Sequence, residues 1–305
     1  MSSDAFYSES EYKPRPRTQR EVDEGFSRWQ QDLSRVAHHA LTIGAALLFV
    51  IPLVWMIGAS LRKVGLPPPS QLEWIPNPIV LSNYWTVVSE LIPFGSYLLN
   101  SLKVAAVAVP LTIVTASCAG FAMSQIAARP RAWLVVISLA TMMVPVTALW
   151  TTRFLIYKWI GVLDTLWAII IPAIMGTTPF YVLLFYWTFA RVPQEIYESA
   201  RLDGAGAFRI WAIIAMPLAR PAIVAVGVLS FVFYWSNFME PLLYLNDQVN
   251  YTLPLGLQAL KQMQPTNFPL LMAGAVLITI PVLVMFVVAQ RYFLQETRGA
   301  GWLGR

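Results

Sequence analysis

The chain has 305 residues, of which 57% are hydrophobic and only 12% charged, at a mean hydropathy of +0.58. Water-soluble domains carry about 25% charged residues, so a solvated surface cannot be built from this composition and a polytopic helical membrane protein remains. The formal charge of +5 therefore bears on orientation in the membrane rather than on nucleic acid, and the single Cys118, inside an apolar run, excludes a disulfide framework and a cysteine-based metal site.

Residues 1 to about 17 are polar without an apolar period, and a disordered start is expected. The charged-then-apolar pattern of a signal peptide is absent near Met1. Thr18 with Glu21 fits a capping box. Phe26, Trp29, Leu33 and Val36 then recur at helical spacing, which predicts an amphipathic helix over about 18–37 lying on the membrane surface. Residues 1–39 are read as a cytoplasmic N-terminal segment. His38 and His39 read as membrane-edge polar residues, with a pH-sensitive pair as the alternative.

Six predominantly apolar runs follow, at about Ala40–Leu61, Ser101–Ser124, Ala132–Thr152, Thr165–Ala190, Ala219–Leu242 and Pro269–Arg291. Each is long enough to cross about 30 Å of hydrocarbon, which takes about 20 helical residues. Pro52, Pro110, Pro145, Pro172 and Pro281 lie inside them and are tolerable in lipid, where neighbouring helices satisfy the freed carbonyls. With six spans both termini share a side, and that side collects fifteen of the twenty-one Lys and Arg residues. Both termini are therefore expected in the cytoplasm, with a transmembrane domain over 40–293 and a cytoplasmic tail over 294–305. The one long loop on the other side, Arg62 to about Asn100, carries Trp74, Tyr84 and Trp85, which suit an interface.

The loop between spans four and five, residues 191–217, is read as a helix–turn–helix. Pro193 suits a first turn and Glu195 its positive end. The helix is expected to reach Leu202, where Gly204 and Gly206 permit the positive φ that turns the chain. A second short helix runs from about Ala207 to Pro217. Ile196, Tyr197 and Ala200 form an apolar stripe, Ser199 and Ala200 are small, and Glu198, Arg201 and Asp203 rim it. Such a helix fits a partner's groove. An ordinary connecting loop is the alternative.

The run Glu198-Ser-Ala-Arg-Leu-Asp-Gly-Ala-Gly206, followed by Ile214, Pro217 and Pro221, resembles the EAA motif of ABC importer permeases. The one departure in its core is Ser199, small for small. Asn100-Ser-Leu, Met143-Val-Pro145, Gln290-Arg-Tyr-Phe293 and the tail Gly299-Ala-Gly-Trp-Leu-Gly304 resemble the carbohydrate-importer branch, the smaller permease of the maltose-type pair. The resemblance covers the chain from about Ala40 onward. It implies an all-α, six-helix type I importer fold in the cell (inner) membrane. It further implies a second homologous permease, two ATP-binding subunits and an extracytoplasmic substrate-binding protein. Glu198, Ser199, Ala200, Asp203, Gly204, Gly206 and Pro217 become the residues that couple the spans to the ATPase.

This chain has no G-x-x-x-x-G-K-[ST] phosphate cradle, so no ATPase activity of its own is expected; without metal-spaced ligands, no metal and no cofactor are expected either. Where the branch often has W-N-D-F before P-L, this chain has Trp235-Ser-Asn-Phe-Met-Glu-Pro-Leu242. Buried polar groups in a span default to function. Glu240 and Asn237 are therefore candidate sugar-hydroxyl partners with Tyr234 or Trp235 as a platform, the alternative for Glu240 being a hydrated interfacial acid. Lys103 is read as snorkelling to the interface. An importer of the same architecture for a non-sugar solute stands as the alternative function. A secondary transporter needs mid-span carboxylates and repeats that are not legible here.

Overall fold

The computed structural model describes residues 19–71 and 73–299, with side chains described over 33–292 apart from position 72. The first 18 residues, the Thr18–Glu21 capping pair and the tail beyond 299 lie outside what is described. The described residues form helices joined by turns, with no strand among them. The chain divides into two compact units, Met1–Trp55 and Met56–Arg305.

Helix α1 runs from Gln19 to Ser60 without a break, so the backbone expected to lie on the surface is continuous with the first span. Over Leu33–Trp55 it exposes large apolar side chains, with Leu41 and Phe49 more than 70% exposed. A helix apolar on its exposed sides belongs in lipid or against another chain. Thr42 donates to the carbonyl of His38 (2.8 Å), and the rings of His38 and His39 meet edge-on at 6.0 Å.

The second unit is built on α2 (Phe94–Gln125), which packs α5 (Pro179–Ala190) and α7 (Arg220–Trp235) against its sides. Small residues make this crossing tight. Val104, Ala105, Ala108, Thr112, Ala116, Ser117, Gly120 and Ser124 follow helical spacing and are buried. A Cβ on Gly120 would stand 2.7 Å from the Phe185 Cβ and from the Tyr186 nitrogen. Only glycine admits that approach between helix backbones, as is common where spans associate through packing and not through a hydrophobic force.

Three of the expected continuous spans are interrupted. The run Ala132–Thr152 becomes α3 (Ala128–Met142) and α4 (Val146–Trp159), bent by 93°. Pro145 supplies no N–H and holds its own backbone extended (ψ 126°), so the helix stops at Met143 and restarts beyond it. In span four a short helix, Trp167–Ile170, tightens into a 3₁₀ turn at Ile171–Met175, passes through the left-handed Gly176 (φ 75°) and Thr177 (φ 62°), and resumes as α5, so that Trp167–Ala190 is interrupted but still runs as one span. The run Ala219–Leu242 is α7 followed, after a turn at Ser236, by the separate α8 (Met239–Tyr244). Helix α9 (Leu253–Met263) then packs on Tyr97, where a Cβ on Gly256 would collide with the ring at 2.2 Å. The last span, α10 (Phe268–Gly299), is unbroken despite Pro281. Among the described residues, four helices are long and apolar enough to cross a membrane, and up to six when each of the two bent pairs counts as one span.

Polar side chains tie the end of the second unit remote from residues 191–217. The buried Asn83 donates to the carbonyls of Ser60 (2.7 Å) and Arg62 (2.8 Å), and the hydroxyls of Ser60 and Tyr84 meet at 2.6 Å. Asn100 donates to the carbonyls of Val249 and Tyr251, while the Ser101 hydroxyl accepts from the Leu253 N–H (2.9 Å).

Candidate functional site

Residues 191–217 open with α6, Gln194–Leu202. Pro193 caps it from outside, Glu195 lies in its first turn and Arg201 in its last, each favourable to the helix dipole. Its exit is a Schellman turn: the Gly204 N–H reaches the Arg201 carbonyl (3.0 Å) and the Ala205 N–H reaches that of Ala200 (2.9 Å). Gly204 sits at φ 81° and needs glycine's freedom. Gly206 does not. At φ −71° it is extended and caps the next helix, so the expectation of two left-handed glycines holds for one.

The next segment is helical over Ala207–Leu218, with a π turn at Ile210–Ala215, and meets α7 at 84°. The break falls at Ala219, between Pro217 and Pro221, neither of which has an N–H to continue a helical ladder.

The apolar stripe expected to face a partner is divided in two. Tyr197 and Ala200 point into the chain's own core with Phe121 and Phe189. The Phe121 ring meets those of Tyr197 and Phe189 edge-on, both at 5.7 Å. Burial pushes the Tyr197 phenol above its usual pKa, so it stays neutral. Trp211 donates to the Ser117 hydroxyl (3.3 Å), and Arg201 donates to Gln125 at the end of α2. Four side chains thus fasten the segment to α2 and α5. The opposite face carries Glu195, Ile196, Glu198, Ser199, Leu202 and Asp203, all exposed, Leu202 by 90%. Leu202, and the 75% exposed Phe208 beyond the turn, were not singled out from sequence. An apolar residue directly before the Asp203-Gly204 turn was the available signal.

The four candidate pathway residues separate likewise. Trp235 is buried, stacks on Phe231 (5.4 Å) and donates to the Ile278 carbonyl (3.0 Å), so it holds α7 to α10 and offers no free face. Tyr234 is buried too, and its hydroxyl meets that of Thr177, which meets that of Thr112 (2.7 and 2.6 Å). This relay reaches the positive-φ Thr177 at the break in span four. Asn237 donates to Glu240 (2.9 Å) and accepts from its N–H (3.3 Å). Glu240 is 6% exposed and forms an ion pair with Arg153 of α4. It is therefore neither a hydrated interfacial acid nor an unengaged acceptor for sugar hydroxyls. Arg153 lies 87 positions earlier, and nothing in the local sequence joins the two.

Beside this pair the turn after α4 is locked to the turn after α8. The Asp164 carboxylate accepts from the N–H groups of Asn246 and Asp247 (both 2.9 Å), and its own N–H donates to the Tyr244 carbonyl (2.8 Å). The Asp247 N–H, and then that of Asn246, hold the Asp164 carboxyl below its ordinary pKa against the opposing effect of burial. A depressed carboxyl contributes stability that is complete above its unfolded pKa and lost as pH falls through the folded one. The Asn246 and Asp247 amides are accordingly expected to lose hydrogen-exchange protection only below the ordinary carboxylate range. Asp164→Asn, which tolerates the φ of 59°, should abolish that pH dependence.

The family model for the binding-protein-dependent transport system inner membrane component matches residues 108–299. The arabinooligosaccharides transport system permease protein AraQ of Halalkalibacterium halodurans is 29% identical over 83% of this chain and 92% of its own length. The trehalose/maltose transport system permease protein MalG of Thermococcus litoralis is 29% identical over 85% and 95%. Among solved structures, a bacterial ABC transporter involved in the import of the acidic polysaccharide alginate has the same fold at 19% identity, with a TM-score of 0.69 over 87% of this chain and 98% of that one. The matched residues hold α2 from Ala108, the bent third span, α6 with its glycine turn, and α7 to α10. The chain belongs to the family of inner membrane components of binding-protein-dependent transport systems, as a multi-pass transport subunit and not an enzyme.

Proposed function

We propose that the chain is one of two homologous permease subunits of an ABC importer that carries a carbohydrate. The names of its relatives support the solute class: arabinooligosaccharides, diacetylchitobiose, lactose and trehalose/maltose. On this reading both termini lie in the cytoplasm, residues 1–39 and 294–305 flank a membrane domain over 40–293, and an extracytoplasmic binding protein delivers solute at the α8–α9 end. Glu198, Ser199, Asp203 and the exposed Leu202 contact the cleft of an ATP-binding subunit. Ala200, Gly204, Gly206 and Pro217 shape and seat the segment that carries them.

The observation that carries the proposal is the two-sided build of α6. One face is fixed to α2 and α5 by Tyr197 and Ala200, and the other leaves acidic, small and apolar residues exposed. A helix held that way transmits a push as a rigid body. A secondary transporter is disfavoured, since Glu240, the one buried acid among the described residues, is already neutralised by Arg153.

The test is reconstitution. With the second permease, the ATP-binding subunits and the binding protein in proteoliposomes, ATP-dependent uptake of an oligosaccharide is expected. Uptake by this subunit alone, driven by an ion gradient without ATP, contradicts the proposal.

A further inference from the structure

Helices α4 and α8 border a half-open cavity of about 310 Å³ lined by Thr147, Trp150, Thr151, Phe154 and Leu243, with Trp150 and Phe154 half-buried at its base and Thr147, Thr151 and Leu243 exposed at its rim. It adjoins the Arg153–Glu240 pair without including either residue. Its size falls at the lower end of small-molecule sites, about 300–1,000 Å³ and mostly apolar with a few polar groups. Two aromatic side chains with two threonine hydroxyls match a pyranose ring, which presents C–H groups on its faces and hydroxyls at its edge. Trp150 adds a further signal: its indole N–H is buried and has no acceptor among the described residues. Buried donors are nearly always paired, so an oxygen arriving in the cavity offers this one a partner after a small side-chain shift. The charge next to the cavity is balanced, because Glu240 already neutralises Arg153 and Asn237 holds the second carboxylate oxygen.

We infer that this cavity is a subsite of this chain for one ring of an uncharged oligosaccharide, Trp150 and Phe154 supplying the apolar faces and Thr147 and Thr151 the hydroxyl partners. The inference rests on the carbohydrate reading and adds to it a place and a charge class. An acidic sugar would meet no net positive charge here.

The experiment uses the complete assembly in proteoliposomes, with labelled maltotriose and arabinotriose as neutral probes and trigalacturonate as the acidic one. The parent is expected to carry a neutral probe in preference to the acidic one. Trp150→Ala and Leu243→Trp, which fills the cavity from its exposed rim, are expected to lower that uptake about tenfold while binding-protein-stimulated ATP hydrolysis stays at the parental rate. Should Trp150→Ala fail to assemble, Leu243→Trp carries the test alone. A parent that carries no oligosaccharide overturns the carbohydrate reading and the subsite with it. A parent that carries neutral sugar alongside variants that transport equally well overturns the subsite alone. So does loss of bound phospholipid from those variants with uptake unchanged, which assigns the cavity to an acyl chain. Preference for trigalacturonate overturns the charge class.

Discussion

Glu240→Gln and Arg153→Met are each expected to destabilise the membrane domain by about 3–5 kcal/mol, the usual cost of removing one member of a buried ion pair. Glu240 is 6% exposed and Arg153 24%, so the survivor is left with little water to solvate it. In Arg153→Met the carboxylate keeps, among the described residues, the Asn237 amide as its polar side-chain partner. The double variant Arg153→Met/Glu240→Leu replaces both charges by apolar groups and is expected to recover most of the loss, because no charge then remains buried. Thermal unfolding of the purified assembly in nanodiscs measures this. Single variants as stable as the parent would mean that the pair is open to water in the assembly.

The second large effect separates neighbouring positions on α6. Ser199→Trp adds an indole to the exposed face and is expected to leave the thermal midpoint unchanged while uptake falls at least about tenfold, through loss of close docking. Ala200→Leu places added methylenes among Phe121, Phe189 and Tyr197 and is expected to cost about 1–3 kcal/mol of stability. Gly204→Ala, at φ 81° with open space around its Cβ, is expected to cost about 1–2 kcal/mol through backbone strain alone. Gly206→Ala, at φ −71° and equally open, serves as the near-silent control. Uptake and unfolding are measured on the same preparations, so a docking defect and a packing defect are told apart.

Much of this architecture was legible in the sequence, because hydrocarbon thickness and helix rise are fixed lengths and the apolar runs match them. The limits of α6 were legible as well, since Pro193 and Gly204 act through their own backbones. The facing of α6 was not. Tyr197 and Ala200 lie three apart on one side, Ile196 and Ser199 three apart on the next, and helical period alone does not choose between them. Phe121 and Phe189 decide it from other helices. The breaks at Pro145 and Thr177 were hidden for a related reason, because a proline or a threonine inside an apolar run is equally compatible with a straight span. Glu240 was singled out as a polar residue in a span, but its burial and its partner were not legible, because Arg153 comes from a helix that the 93° bend after α3 brings alongside α8.

The central claim is that the exposed face of α6 touches an ATP-binding subunit while its inner face moves with the spans. The most direct measurement places a cysteine at that face, Ser199→Cys in a Cys118→Ala background, and treats the complete assembly with a short thiol-to-amine cross-linker. The account predicts a covalent product with the ATP-binding subunit, and uptake blocked by the link while unlinked protein transports normally. Efficient linkage to the second permease or to lipid, with none to the ATP-binding subunit and uptake unaffected, would contradict it.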